Sequence, residues 1–389
     1  MLIRSTVIII IFTQHYFESL MAKNSSRLVS LDIFRGITIA FMIIASTPGS
    51  REYILTPLRL SAWNGCTPAD MVFPFFLFIA GLSTYYSLKK YRNEINGGSI
   101  LRIFRRMLAL IVIGLFITIF PYFRMDYSTL RIMGVLQRIA LAYGIGAIIC
   151  LSINREYLWI VIAVFLLIHW GLLALLGDAD PLSLQGNFAL KTDIGLMGKN
   201  HLYTGFGIPF DPEGMLGTIT AVCSLIIGYF VGETVGSGTH SGKSVLKLML
   251  FAAAAGGLGY LWNTILPFNK PLWTSSFVLY TSGIAIGTFA LIYFIVDVLK
   301  FQIWGVFFLV FGTNAILVYF ISEIWTKLLL FIQIPFGNDK ISLYSWFYEK
   351  VCVPVAGNMN GSLMFAIIQM LLMWGLALIL YRKKILIRV

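Results

Sequence analysis

The chain has 389 residues, of which 58% are hydrophobic and 12% charged, with a mean hydropathy of +0.85. That balance excludes an ordinary water-soluble domain. The formal net charge of +12 would point to nucleic acid in a soluble protein, but in so apolar a chain the cations must first be sorted by side of the membrane, and no nucleic-acid partner is expected.

In chain order, residues 1–20 carry a short apolar patch from Val7 to Phe12. It is too short to span and lacks a small-residue cleavage site. This stretch reads as an upstream-start extension or a disordered lead, with 21–389 as a single transmembrane domain. Apolar runs able to cross about 30 Å of hydrocarbon then recur. They place about ten spans near 31–48, 69–88, 104–121, 132–152, 157–176, 214–232, 245–262, 274–297, 303–322 and 361–381. The expected fold class is all-α, a polytopic integral membrane protein of about ten transmembrane helices. An even number puts both termini on one side. With both termini cytoplasmic, 17 Lys and Arg residues fall inside and 10 outside, which agrees with the positive-inside bias. The loops 178–212 and 263–273, the segment 326–360 and the WNGCTPAD loop (63–70) then face outward. Segment 326–360 reads as an interfacial amphipathic piece. Cys66, Cys150, Cys223 and Cys352 are scattered with no metal-ligand spacing, so no metal is expected.

Several polar residues stand out against this apolar background. Asp32 and Arg35 are three apart on one helix face, either as an ion pair or with Arg35 lining a cytoplasmic mouth. Thr67-Pro68-Ala69-Asp70 has a capping residue, a proline at the first helical position and an acid at the third. Asp70 is thus a cap or a general base. Trp63 and Asn64 pair an aromatic ring with an amide, a combination that suits a sugar platform. Arg102, Arg105 and Arg106, with Lys89, Lys90 and Arg92, serve the positive-inside bias and could also hold a phosphate. On the fourth span, Arg131 and Arg138 lie seven apart with Gln137 beside the second; Arg138 is deep enough to require an anion or a wet cavity. The long outward loop holds Asp193, His201, Asp211 and Glu213. Histidine suits proton transfer near neutrality, whereas Asp211 and Glu213 suit the start of the following helix. Asn269, Lys270 and Trp273 form a polar approach to the eighth span, and Asn314 sits inside the ninth as helix glue or as a ligand.

The ordered stretches SLDIFRG (30–36), TPGS (47–50), WNGCTPADMVFPFFLFIAG (63–81), RIMGVLQRIALAYG (131–144), NHLYTGFGIPFDPEGMLGT (200–218), NKPLWTSSFVLYTSG (269–283), GTNAILVYF (312–320) and LYRKKI (380–385) carry a resemblance. From Arg27 onward the chain resembles the transmembrane acyltransferase family of heparan-alpha-glucosaminide N-acetyltransferase and its bacterial relatives. The resemblance implies transfer of an acetyl group from cytosolic acetyl-CoA to the amine of a glucosamine on the far side of a bacterial inner membrane. On that reading the donor candidates are Arg35, Arg102, Arg105, Arg106, Arg131, Gln137 and Arg138. Those for an amino-sugar or glycan acceptor are Trp63, Asn64, Asp193, Asp211, Glu213, Asn269, Lys270, Trp273 and Asn314. Membrane lipid and a second copy of the chain complete the expected partners.

Two positions depart from the family pattern. A loop histidine and an asparagine at the end of the first span carry the chemistry in the lysosomal member, and the matching positions here are Leu60 and Ser46. Leu60 can neither form an acyl-imidazole nor take a proton. Ser46 can still donate a hydrogen bond to a thioester oxygen. An amine resembling an α-amino group, of pKa about 7.7–8.0, is partly nucleophilic near neutrality, so losing a base costs roughly 10²–10⁴ in rate without forbidding direct transfer. The catalytic candidates are therefore His201, Asp70 and Ser46, with His201 expected to fold back over the WNG loop (63–65) and partly replace the base. The alternative is a non-catalytic member that binds or transports a sugar or a lipid-linked glycan.

Overall fold

The structure, a computed structural model, describes residues 28–91, 96–122, 126–236, 241–336 and 339–385. The expected lead at 1–20 and Arg92 of the basic cluster lie outside the described residues. Apolar runs become helices here because hydrocarbon offers no partner for a free peptide group, so each segment must satisfy its own backbone. The helices are α1 (Val29–Ser46), α2 (Val72–Leu88), α3 (Gly97–Ile119), α4 (Val135–Ser152), α5 (Arg155–Leu176), α6 (Phe188–Met197), α7 (Leu216–Gly236), α8 (Gly242–Trp262), α9 (Ser275–Tyr293), α10 (Val306–Thr313), α11 (Ala315–Phe331), α12 (Leu343–Phe347) and α13 (Val353–Arg382).

Eight helical segments among the described residues are long and apolar enough to cross a membrane. The pair α10 and α11, bent by 70° between Thr313 and Ala315, makes a ninth if taken as one span. Helix α3 has 23 residues, which is span length, but carries Arg102, Arg105 and Arg106 in its first half. The ten spans expected from sequence require both.

Helix α7 is apolar all round and forms the centre, with most of its residues buried. Close backbone approach, rather than long side chains, brings its neighbours in. Gly81 of α2 faces the Leu225 carbonyl and Gly228 of α7 faces that of Phe78, where a Cβ would overlap the oxygen. Gly36 of α1 and Gly312 of α10 stand in the same relation to the carbonyls of Phe308 and Asp32. Helix α8, by contrast, presents Leu246, Leu250, Leu258 and Leu261 outward, as a lipid-facing helix does.

Two segments differ from the sequence reading. The loop 178–212 contains α6, whose start is held by Asn187, the side chain of which accepts from Leu190 N–H at 2.8 Å. Segment 326–360 is a β-hairpin, β1 (Gln333–Phe336) with β2 (Asp339–Ser342), followed by α12. Helix α11 runs on to Phe331, and α13 begins at Val353 with a break at Gly357, whose φ is 74°. A glycine tolerates that left-handed backbone, so the last span starts earlier than its apolar run suggests.

Candidate functional site

A cavity of about 1360 Å³ passes between α1, α2, α3, α4 and the bent α10–α11 pair. It exceeds the roughly 300–1,000 Å³ of an ordinary small-molecule site. The chain direction orders its lining. Asp32, Arg35, Ser87, Lys89, Gly98 and Arg102 come from the starts of α1 and α3 and the end of α2; Ser46, Leu60, Ala69, Val72, Glu213 and Lys270 come from the opposite ends and their loops. Along α1 alone, Asp32 to Ser46 spans about 21 Å at 1.5 Å per residue. Ser46 and Leu60 therefore line the far end of one cavity whose near end is basic.

At the basic end, Arg35 donates to Asp32 Oδ1 at 3.0 Å, to Ser83 Oγ at 2.7 Å and to the Gly312 carbonyl at 3.3 Å. The two sequence readings of Arg35 are thus one arrangement, an ion pair that also lines the mouth. Arg106 lies 4.6 Å over the Tyr143 ring and Arg102 lies 5.2 Å over that of Tyr91. Arg105 joins them in the lining. The buried Arg106 Nε has no hydrogen-bond partner among the described residues. Such a set, with guanidinium donors in hand and few acids, suits phosphate oxygens.

At the far end, Asp70 Oδ2 accepts from Ser61 N–H, Thr67 N–H and Thr67 Oγ1–H, each at 3.0 Å. This is the capping box read from sequence, and Lys270 Nζ approaches the other oxygen at 3.4 Å. Asp70 is absent from the cavity lining, its Oδ2 is committed to the cap and its buried Oδ1 accepts no hydrogen bond from the described residues and faces Lys270, so the residue serves as a cap rather than as the general base. Lys270, unlike Asp70, lines the cavity. Burial, reinforced by Asp70 and partly offset by Lys270, pushes the Cys66 thiol up to about 12. At neutral pH it stays protonated and is a poor nucleophile.

His201 does not reach this region. Its Nδ1 lies 2.7 Å from the Leu130 carbonyl, which makes that nitrogen the donor, and Ile132 N–H donates to the His201 carbonyl at 3.2 Å. The residue ties the long loop to the segment before α4 and is absent from the cavity lining. Its expected place over the WNG loop is corrected by those bonds.

Arg131, Asp211 and Glu213, divided in sequence between donor and acceptor sites, form one cluster. Arg131 donates to the two Asp211 oxygens at 2.7 and 2.8 Å and to Glu213 Oε2 at 2.5 Å. Burial alone would lower the guanidinium pKa, but the two carboxylates raise it above its ordinary value. Arg138 is buried, donates to the Gly214 carbonyl at 2.8 Å and lies 5.1 Å over the Trp273 ring. Gln137 packs against Gly114 and Gly134. None of Arg131, Gln137 and Arg138 lines the cavity; they brace the loop side, and Gln137 meets α3 at Gly114, about 12 Å of helix beyond Arg106.

The acceptor candidates also divide. Trp63 donates from Nε1 to the Leu182 carbonyl at 2.8 Å and meets Phe206 and Phe210 edge-on at 6.0 and 5.5 Å, so its ring packs in the loop layer rather than offering a free face. Asn64 and Asn269 bridge the two loops through an Nδ2–Oδ1 bond of 3.1 Å. Trp273, with φ of 54°, is wedged against Phe73 at 4.7 Å. Asp193 Oδ1 accepts from Met215 N–H at 2.8 Å at the start of α7. Burial lifts this carboxyl to about 6, although the Met215 bond and Arg138 pull the other way. Asn314 occupies the α10–α11 break and donates to the Ile385 carbonyl at 2.9 Å. Of the acceptor candidates, Glu213 and Lys270 alone line the cavity.

Tyr319 and Glu323 of α11 also line it, and sequence reading missed both. The ninth span was expected to end at 322, which left Glu323 outside it; an acid one residue beyond a predicted end was the available signal.

Residues 27–191 match the family model described as heparan-alpha-glucosaminide N-acetyltransferase, catalytic. The heparan-alpha-glucosaminide N-acetyltransferase of Mus musculus is 28% identical over 363 residues, covering 78% of this chain and 54% of its own. That of Homo sapiens is 29% identical over 358 residues, covering 77% and 53% respectively. The chain spans about half the length of the curated relatives it matches. The family-model match includes α1 to α5, whose first four helices wall the cavity, and the similarity to the heparan-alpha-glucosaminide N-acetyltransferases continues beyond it over most of the chain.

Proposed function

We propose that this protein moves an acetyl group from acyl-CoA, bound at the basic end of the cavity, to the amine of an amino sugar or glycan at the far end. The observation that carries the reading is the single cavity joining Arg35, Arg102, Arg105 and Arg106 to Ser46, Leu60 and Lys270. The basic end faces the cytoplasm of a bacterial inner membrane, where acyl-CoA is made. Acetyl-CoA supplies the activated thioester. The arginines hold its phosphates, the cavity excludes bulk water from its arm, and Ser46 Oγ, whose bond to the Ile43 carbonyl is a long 3.4 Å, is available to donate to the carbonyl oxygen as negative charge develops there. Transfer is direct, because Leu60 offers no lone pair and the nearby Cys66 thiol is held protonated.

The test is release of free thiol from acetyl-CoA by the purified full chain, with and without glucosamine, galactosamine and mannosamine. Acceptor-dependent release supports the reading. Saturable sugar binding with no thiol release supports a binding or transport role instead, a reading favoured by Leu60 and Ser46 at the family's chemical positions.

A further inference from the structure

The cavity holds three acids, and two are committed. Asp32 is paired with Arg35 at 3.0 Å, and Glu213 with Arg131 at 2.5 Å. Glu323 is the third. It lies in α11, lines the cavity and makes no ion pair or hydrogen bond with any described residue.

The absence of a pair is informative, because the sequence invites one. Lys327 follows Glu323 by four residues, the spacing and order at which acid and base meet best on a helix. Yet the Lys327 ammonium turns away to the Ile117 and Phe120 carbonyls, the latter at 3.1 Å, at the C-terminal end of α3. There it meets the negative pole of a helix. Glu323 is left facing the cavity, at the height of the outer end of α3. An ionisable group inside a membrane segment is costly unless it faces water or a partner. Tyr319, one turn earlier, also lines the cavity, within electrostatic reach of Glu323, Glu213 and Arg131.

We propose that Glu323 is the general base of the transfer, filling the proton-accepting role left vacant by Leu60. The inference rests on the acyl-transfer reading above. The acceptor nitrogen forms the new C–N bond at the thioester carbonyl carbon, and the C–S bond breaks. The Glu323 carboxylate accepts the proton released from nitrogen and returns it to the departing sulfur, so the products are an N-acetyl sugar and free CoA thiol. No oxidant, reductant or covalent enzyme intermediate is required.

The experiment compares the full chain with Glu323→Gln and Glu323→Asp. Its readouts are acetyl transfer to glucosamine, acetyl transfer to hydroxylamine, which is already unprotonated at neutral pH, and CoA binding by calorimetry. Glu323→Gln is expected to lose roughly 10²–10⁴-fold against glucosamine, to lose less than tenfold against hydroxylamine, and to bind CoA within threefold of the native chain. Glu323→Asp should recover part of the glucosamine rate. The native pH–rate profile should have an acidic limb that Glu323→Gln lacks. Glucosamine transfer by Glu323→Gln at the native rate overturns the proposal and leaves the acyl-transfer reading standing. Equal loss against both acceptors, or loss of CoA binding, makes Glu323 a structural residue and also overturns it. A native chain with no acceptor-dependent transfer removes the acyl-transfer reading and this proposal with it.

Discussion

Replacing Arg131 by Met tests whether the ion-pair cluster is what clamps the long outward loop. Its partner Asp211 has a side chain with 0% exposure, and Glu213 has 14%. Breaking a buried pair by removing one member costs about 3–5 kcal/mol, because the remaining charge stays desolvated. Arg131 itself is 28% exposed, so water already screens part of the interaction, and about 2–4 kcal/mol is the appropriate range. Adding Asp211→Asn to Arg131→Met removes the stranded charge and should restore about half of the loss. Denaturant titration of the detergent-solubilised chain, comparing both single variants and the double, measures the coupling. A loss below about 0.5 kcal/mol for Arg131→Met, the scale of an exposed pair, would refute the reasoning, and the loop would have to be held by His201 and Trp63 instead.

Three further outcomes follow from the same geometry. Changing Arg102, Arg105 and Arg106 together to Gln should weaken CoA binding by at least 10–100-fold, since one charge-assisted bond contributes about 1.5–3 kcal/mol; unchanged affinity by calorimetry would move the donor site elsewhere. Gly312→Leu should destabilise the chain by at least about 1–3 kcal/mol, because a Cβ there already overlaps the Asp32 carbonyl; an unchanged unfolding midpoint would contradict the contact between α1 and α10. Burial lifts the Asp193 carboxyl from its ordinary 3.8 to about 6 in the folded chain. Between those values the folded chain holds more protons than the unfolded one, so stability falls as pH rises through that window, by about 2–3 kcal/mol in all. Asp193→Asn should flatten this dependence and raise stability at pH 8, and a native unfolding midpoint that rises from pH 4 to 6 with no change in the variant would count against it.

How far the sequence could be read depended on whether the deciding interaction was local. The Thr67–Asp70 capping box and the Asp32–Arg35 pair each lie within four residues, and both appear in the structure as read. Hydrophobic runs likewise gave most spans to within a few residues. His201 failed because its placement depends on Leu130, 71 residues away. Arg131 looked like an anion site until Asp211 and Glu213, 80 and 82 residues distant, were seen to occupy it. Nothing in the composition of α6 marked it as a helix, since only Asn187 and its packing against the loop layer fix it. Glu323 was hidden by an end placed nine residues too early, because a bend lengthened the ninth span beyond a simple count.

That 70° bend also explains why Gly312, Thr313, Ala315 and Ile316 all line the cavity. A straight helix would show one side only at every third or fourth residue. At Asn314 the rod becomes two, each with its own azimuth, and the wall is assembled from one face of each. The joint therefore works as a phase-setter. Inserting a single residue there would rotate everything beyond it by about 100°, turning Glu323 into the packing while Arg35 kept its hold on Gly312.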